Sequence, residues 1–432
     1  MKFLGIGETN DLGDMYLRLM RAGHEVRVHM SDPDSAGVME GMLSFTQDWR
    51  VELDWIREAG KEGIILCETA GHGEIQDELR RDGFHVVGGS GFGDRLETDR
   101  AFGQEVLRSL GLRTANTRLF QGLDDAIDFV RREQARYVFK LNGHNWSSAS
   151  TYVGQFQNGT DLIAFMVGLK RQWTLSETPE CVLMDYVDGV EVGTGAFFNG
   201  ERFLSPANLD WEHKRFFPGD IGEMTGEMGT IVTYRGAEKI FDATLGKLAP
   251  LLAESGYCGY INLNTIVNRE GIWPLEFTSR FGYPGFPILS ALHEESWDSI
   301  FAAMIARDRT TIRTLPGLAA GVVLTVPSFP YPDGYAELGK GMPIVFDESL
   351  TEADRDSLHF GEVALEDGQL VTAGMIGYIM VVTGVGDTVE NARHAAYERV
   401  SKIAIPRMRY RNDIGSRFES DCSMLRELGW LS

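Results

Sequence analysis

The clearest alternation of apolar and polar positions lies between Gly259 and Gly282. Two runs of period two flank Arg269-Glu270-Gly271, which reads as a three-residue hairpin loop with glycine in the left-handed position. In that register Asn264 faces Glu276 and Asn262 faces Thr278, because opposed residues of a hairpin share a face. One face then carries Ile261, Leu263, Val267, Trp273, Leu275 and Phe277 and belongs to a core. The other carries Asn262, Asn264, Glu276, Thr278 and, further along, Arg280.

Upstream, short apolar runs at Lys2–Gly7, Glu25–Met30, Gly63–Cys67 and Phe84–Gly88 alternate with helical patterns at Leu12–Ala22 and Glu74–Asp82. Strands alternating with helices predict a doubly wound parallel sheet, here a first domain over residues 1–95. Helices are expected over Leu96–Gly111, Ala237–Glu254 and Val389–Ile405, with strands at Tyr137–Lys140 and Val182–Glu191. After Gly317 the runs Gly321–Val326, Met342–Phe346 and Gly377–Thr383 have antiparallel character. The expected class is therefore mixed α/β and α+β. A middle domain spans 96–315, with a small β-rich part at about 120–190, and a mainly antiparallel C-terminal domain spans 316–432.

Composition narrows the partners. Hydrophobic residues make up 43% of the chain, enough for buried cores, and the net charge is −22. Nucleic acid and anionic membranes want clustered Lys and Arg, so neither is an expected partner. A locally basic pocket for phosphate remains compatible with an acidic chain. The four cysteines, Cys67, Cys181, Cys258 and Cys422, form no C-x-x-C pair and read as free buried thiols of a reducing compartment. The first residues read as a strand and not a signal peptide, and the apolar region Ala373–Gly386 is too short to span a bilayer. A cytoplasmic protein is expected.

The polar hairpin face offers oxygen ligands beside a guanidinium. Such groups suit Mg²⁺, which takes one or two carboxylates plus substrate phosphates, and an arginine that grips a phosphate or carboxylate. A solvated strand face is the plain alternative. Gly5-Ile-Gly7 lacks the third glycine of a dinucleotide loop, and the second strand has no acidic tip, which argues against a nicotinamide site. A small substrate at that strand end remains open.

Several segments fall in one order: Leu96-Glu…Arg100-Ala-Phe-Gly-Gln104, Val138-Phe-Lys140, Met184-Asp-Tyr-Val-Asp-Gly-Val-Glu191 and Pro274-Leu-Glu-Phe-Thr-Ser-Arg-Phe-Gly282. This order resembles the ATP-grasp superfamily, in which two β-rich subdomains clamp ATP and Mg²⁺ (or Mn²⁺). Glu212-His-Lys-Arg215…Gly219-Asp220…Gly222-Glu-Met-Thr-Gly-Glu-Met-Gly229 is similar to the D-H-K-R…G-D…G-P-N-T-G-G-M-G signature of phosphoribosylamine–glycine ligases. The tail Tyr410-Arg-Asn-Asp-Ile-Gly-Ser-Arg417 is similar to that family's R-x-D-I-G-x-R. The resemblance implies an ADP-forming carboxylate–amine ligase working through an acyl phosphate, with small-molecule carboxylate and amine partners, as monomer or homodimer. The first 95 residues would be the substrate (pre-ATP-grasp) domain.

Residue by residue, the resemblance puts Lys140, Arg100, Ser147 and Ser148 on the ATP phosphates, Met184, Asp185 and Tyr186 at adenine and Glu191 at the ribose. Glu276, Asn264 and Thr278 would hold the metal, and Arg280 and Lys214 would serve catalysis. Glu212, Arg215, Thr225, Gly226 and Gly229 would line the carboxylate pocket, with Gly7, Glu8 and His72 on the amine side. His213 reads as structural. This chain also departs from the family pattern. The loop after Lys140 reads Gly143-His-Asn-Trp-Ser-Ser-Ala-Ser150 where the family has glycines and a lysine, and the helix lysine falls on Gln104. The first-strand loop is Gly5-Ile-Gly-Glu-Thr-Asn10 against G-N-G-G-R-E-H, and Phe281-Gly-Tyr-Pro-Gly285 replaces F-G-D-P-E. Losing the loop arginine favours a divergent ligase joining a carboxylate, such as an amino acid, to an amine other than phosphoribosylamine. An authentic phosphoribosylamine–glycine ligase and a non-catalytic nucleotide-binding protein are the other readings.

Overall fold

The computed structural model of the protein describes residues 1–141, 151–172 and 180–431. Its first layer is a four-stranded parallel sheet in the order Glu25–Met30, Lys2–Gly7, Gly63–Cys67, Val86–Val87. Alternate residues of the first strand feed opposite faces: Phe3 packs with Leu12, Met15 and Leu19, while Leu4 and Ile6 pack with Ile65 and Leu79. Apolar residues on both faces are what a parallel sheet covered on both sides requires.

The centre is an eight-stranded antiparallel sheet. Its order is Gly271–Thr278, Cys258–Asn268, Val190–Asn199, Asn208–Glu212, Gly229–Thr233, Leu318–Thr325, Tyr378–Gly386, Leu358–Phe360. It runs without a break past residue 315, because Gly229–Thr233 pairs directly with Leu318–Thr325. A separate four-stranded antiparallel sheet of Thr117–Phe120, Cys181–Asp185, Tyr137–Leu141 and Tyr152–Val153 forms the small subdomain. The helices Leu123–Glu133 and Thr160–Gln172 seal one side of it, burying Leu123, Ile127, Val130, Leu162 and Met166 against Phe139 and Leu183.

The hairpin pairs Asn262 with Thr278 and Asn264 with Glu276, as its alternation predicts. Its loop is tighter than expected: Asn268 already pairs with Gly271, leaving two residues between them, and a register shift follows Asn264. Three expected helices are shorter than their periodicity suggests. Leu96–Gly111 divides into Gly91–Thr98 and Arg100–Ser109, because the Asp99 side chain accepts from the Phe102 N–H and starts a new helix. Ala237–Glu254 is split into Glu238–Ala243, a 3₁₀ turn and Ala249–Glu254. Pro250, which has no N–H, sits in the first turn of the last piece. The helix expected to reach Ile405 ends at Val400, ahead of Pro406, and Ile403 instead pairs with Phe346.

The parallel-sheet domain docks on the hairpin by backbone contact. The Gly88 N–H donates to the Cys258 carbonyl at 2.7 Å, and a Cβ on Gly259 would lie 1.8 Å from the Gly88 oxygen. A Gly259→Ala variant is expected to cost about 1–3 kcal/mol, the range for forced overpacking. It would lower the melting temperature by several degrees; an unchanged melting curve would show that the two backbones separate freely.

Candidate active site

Two cavities meet on the polar face of the central sheet. The larger, about 690 Å³, lies between the small subdomain and the sheet. Arg100, Lys140, Met184, Asp185, Tyr186, Glu191, Arg215 and Thr225 line it. The smaller, about 160 Å³, lies over the central sheet and is lined by Asp210, Glu227, Thr230, Asn262, Asn264, Thr278 and Arg280, among others. Glu212, Lys214, Gly226 and Glu276 line both. Those four residues mark the junction of the two cavities.

Glu276 is the electrostatic centre. Lys140 Nζ lies 3.2 Å and Arg100 Nη2 3.6 Å from its Oε2, and Lys214 Nζ lies 3.3 Å from its Oε1. Lys140 first, and Lys214 after it, hold the Glu276 carboxyl well below the ordinary range. Lys214 also contacts Glu191 Oε1 and Glu212 Oε2, each at 3.0 Å. Burial would lower its ammonium, but the three carboxylates outweigh that and raise it well above an ordinary lysine. Burial lowers Lys140 more than Glu276 raises it. Burial would raise Glu191, yet Lys214 and the Asn264 amide hold it below its usual value. A ring of fixed cations around one carboxylate is preorganised for a polyanion.

Strand geometry sets these positions. Glu212 ends the strand Asn208–Glu212, Lys214 follows in the two-residue loop after it, and Arg215 opens the next strand, Arg215–Phe217. Thr225 ties the far side of that loop back, its N–H and hydroxyl both donating to the Lys214 carbonyl at 2.8 Å. The C-terminal motif clasps the same loop. Buried Arg411 donates to Asp220, Asp413 and the Arg215 carbonyl, and Arg417 donates to Asp220 and the Glu212 carbonyl. His213 is buried and its Nε2 accepts from the Gly415 N–H at 3.2 Å. Burial, with Arg417 and Arg411 nearby, lowers it to about 4, so it is a neutral structural residue.

The other positions singled out in the sequence fall as follows. Arg280 faces the smaller cavity, with its Nε donating to Glu97 Oε1 at 3.1 Å. Asp185 and Tyr186 line the larger cavity, but their backbone N–H groups already donate to the Asn116 and Arg136 carbonyls. The Asp185 carboxylate accepts from Arg118 and Asn116. Gln104 is buried and donates to the Leu275 carbonyl instead of reaching the cleft, while Arg100 from the same helix does reach it. Gly226 opens onto both cavities, with free space where a Cβ would project. Gly229 lines neither cavity; its backbone, at φ 147°, packs against the Gly321 carbonyl. Gly7, Glu8 and His72 cluster at the strand ends of the parallel sheet, where His72 Nε2 lies 3.1 Å from Glu8 Oε1. Ser147 and Ser148 lie outside the described residues.

Four site residues did not stand out in the sequence: Asp210, Glu227, Asn262 as a donor, and Glu97. Asn262 and Asn208 donate to Asp210 Oδ2 at 2.7 and 2.9 Å. Burial, then the neighbouring Glu212, push Asp210 up to about 7. Burial, then Glu212 and Asp210, raise Glu227 well above a normal carboxyl. The signal for Glu227 was present, since it stands where the similar signature has glycine.

The donors suit a hard cation. Glu276 and Asn264 face each other across the hairpin, and Asn264 Oδ1 is buried without a partner. Among the described residues no three His, Cys, Asp or Glu side chains are arranged to hold a metal ion. Mg²⁺ does not need such a set, because substrate phosphates complete its shell.

These features define the ATP-grasp clamp, and the chain belongs to the ATP-grasp family of ADP-forming ligases, which use ATP and Mg²⁺. Residues 98–286 match the family described as phosphoribosylglycinamide synthetase, ATP-grasp (A) domain, and 319–417 match its C domain. The chain is 26% identical to the phosphoribosylamine–glycine ligase of Neisseria meningitidis serogroup B, over 96% of this chain and 99% of that protein. Its fold is similar to the phosphoribosylamine–glycine ligase of Thermotoga maritima, with a TM-score of 0.71 and 22% identity over 96% and 100% of the two chains. It is also similar to the biotin carboxylase domain of the Hydrogenobacter thermophilus 2-oxoglutarate carboxylase, solved with MgADP and bicarbonate. That TM-score is 0.64, with 11% identity over 95% and 91% of the chains. No helix among the described residues is long and apolar enough to cross a membrane.

Proposed function

We propose that this protein joins the carboxylate of an amino acid to an amine other than phosphoribosylamine, forming an amide with release of ADP and phosphate. The observation that carries this reading is the junction of the two cavities at Glu212, Lys214, Gly226 and Glu276. A nucleotide in the larger cavity would bring its γ-phosphate to that junction, with Lys140 and Arg100 on the phosphates and Glu191 at the ribose. Mg²⁺, held by Glu276 and Asn264, would neutralise phosphate charge. Lys214 would orient the carboxylate substrate beside the γ-phosphate, and Arg280, fixed by Glu97, would bind the anionic oxygens. A carboxylate oxygen attacks phosphorus and ADP leaves; the amine nitrogen then attacks the acyl carbon, phosphate leaves and the amine gives up a proton. Splitting the reaction this way replaces one hard displacement by two easier ones, and positioning carries most of the rate.

The amine side supports a substrate without phosphate. Glu8, Asp11 and buried Glu68 surround the first-strand loop, and the Glu68 carboxyl is raised to about 8 by burial and then by Asp11. A phosphate there would meet the Glu8 and Asp11 side chains. The competing reading, glycine joined to phosphoribosylamine, is favoured by full-length similarity to ligases of that name. ADP release from Mg²⁺-ATP, measured over a grid of amino acids and amines, decides between them. Turnover confined to glycine with phosphoribosylamine would overturn the proposal; turnover with another pair supports it.

A further inference from the structure

Lys214 stands where the chain leaves one sheet for another. Asn208–Glu212 belongs to the central sheet, whereas Arg215–Phe217 pairs with Ile221–Met224 in a separate two-stranded sheet. His213 and Lys214 lie between them and belong to no strand, so other bonds must fix their backbone. On one side the Lys214 carbonyl accepts from Thr225, and the His213 and Met228 N–H groups donate to the Gly229 and His213 carbonyls at 2.9 and 2.8 Å. On the other side the bonds come from the segment Arg411–Arg417, which lies 196 to 205 residues further along the chain. Arg417 uses both arms of its guanidinium there. Nη1 donates to Asp220 Oδ2 and Nη2 to the Glu212 carbonyl, each at 3.0 Å. A lysine has no such planar fork.

Asp220 links two arginines, its Oδ1 accepting from Arg411 at 2.8 Å and its Oδ2 from Arg417. Its backbone lies at φ 55°, in the left-handed region, with Gly219 at 76° and Gly222 at 84° beside it. Glycine would fit that backbone with less strain, so the turn tolerates strain in order to present a carboxylate. The two arginines differ in their surroundings. Arg411 is 1% exposed and is also bonded to Asp413 through Nε and Nη2, which makes it part of the core. Arg417 is 40% exposed and, with Asp220 and Asp421, lines the larger cavity. Its fork is already engaged by Asp220 and Glu212, so its influence on the reaction runs through the backbone it holds.

We infer that Arg417 is a positioning residue of the ligase reaction. Acting through Asp220 and the Glu212 carbonyl, it sets the backbone on either side of Lys214, so that the Lys214 ammonium meets Glu191, Glu212 and Glu276 at the junction. The C-terminal segment thereby completes the active site without contributing a group to the chemistry. This rests on the ligase reading above, in which Lys214 orients the carboxylate.

Arg417→Ala and Asp220→Gly, each in the full chain, test this. Asp220→Gly relieves the backbone and leaves Arg411 its bonds to Asp413, so a purely structural role predicts an unchanged or higher melting temperature and normal turnover. The inference predicts that both variants keep the melting temperature and the KM for ATP but lose about 100-fold in kcat, the cost of a misplacement of about 1 Å. Turnover is read as ADP release with the amino acid and amine that are most active in the grid above. Guanidinium chloride, below denaturing concentrations, is expected to restore part of kcat in Arg417→Ala and none in Asp220→Gly, whose carboxylate is gone. Normal kcat in both folded variants would overturn the inference, and so would a loss that follows the melting temperature. A second readout needs no substrate. Acetylation of Lys214 by acetic anhydride, followed by mass spectrometry, is expected to run faster in both variants than in the wild type, because its carboxylate contacts loosen. A wild type inert towards every pair would overturn the ligase reading, and unchanged Lys214 labelling in the variants would then overturn this inference as well.

Discussion

Replacing Glu276 by glutamine is expected to lower Mg²⁺-dependent ADP formation by about 10²–10³-fold, the usual cost of losing one preorganised electrostatic group. The expected effect on nucleotide binding has the opposite sign in the absence of metal. In the wild type the carboxylate engages Lys140, Lys214 and Arg100 at 3.2, 3.3 and 3.6 Å. Glutamine has no charge to offer them, so three cations are released towards a polyanion. Metal-free ATP should therefore bind Glu276→Gln more tightly than wild type, while added Mg²⁺ should help it less. Titration calorimetry with and without Mg²⁺ measures both. An unchanged response to Mg²⁺ would remove Glu276 from the metal site.

The second large effect is expected at Lys214. Its ammonium sits among Glu191, Glu212 and Glu276 and is 17% exposed. Lys214→Met keeps much of the volume and leaves three carboxylates facing one another, a loss expected to cost about 3 kcal/mol. Without the ammonium, repulsion raises the carboxyl pKa values in the folded state above those in the unfolded chain. The folded protein then binds more protons than the unfolded one, so stability falls as pH rises through that interval. The variant's deficit in melting temperature should be larger at pH 8 than at pH 5. Adding Glu212→Gln should recover part of it at pH 8. A deficit independent of pH would mean that lost packing, not uncompensated charge, explains the damage. Activity should be lost in the single variant and remain lost in the rescued one, because the cation at the junction is still missing.

What could be read in the sequence follows the range of the interactions concerned. The pairing of Asn264 with Glu276 was legible, since strand alternation and a nearby turn set it locally. The break at Asp99 was not, because one side-chain bond to the Phe102 N–H competes with an otherwise continuous amphipathic pattern. Nor was the continuity of the central sheet past residue 315, which depends on pairing between strands some ninety residues apart. Arg280 stood out by its position after the hairpin, whereas Glu97, which orients it, lies 183 residues earlier in the chain. Gln104 is instructive in the same way. Its place in the helix matched a position expected to touch nucleotide, yet the helix turns that residue onto the Leu275 carbonyl and presents Arg100 to the cleft. Asp210 and Glu227 come from different strands and loops, so their convergence belongs to the tertiary fold alone.

The central claim is that a carboxylate oxygen meets the γ-phosphate where the two cavities join. The most direct measurement supplies amino acids labelled with ¹⁸O in their carboxylates, together with Mg²⁺-ATP and a set of amines, and weighs the phosphate released. The account predicts that phosphate formed with ADP carries one ¹⁸O from the amino acid. ADP formation with unlabelled phosphate would contradict it, because phosphorus would then have been attacked by water.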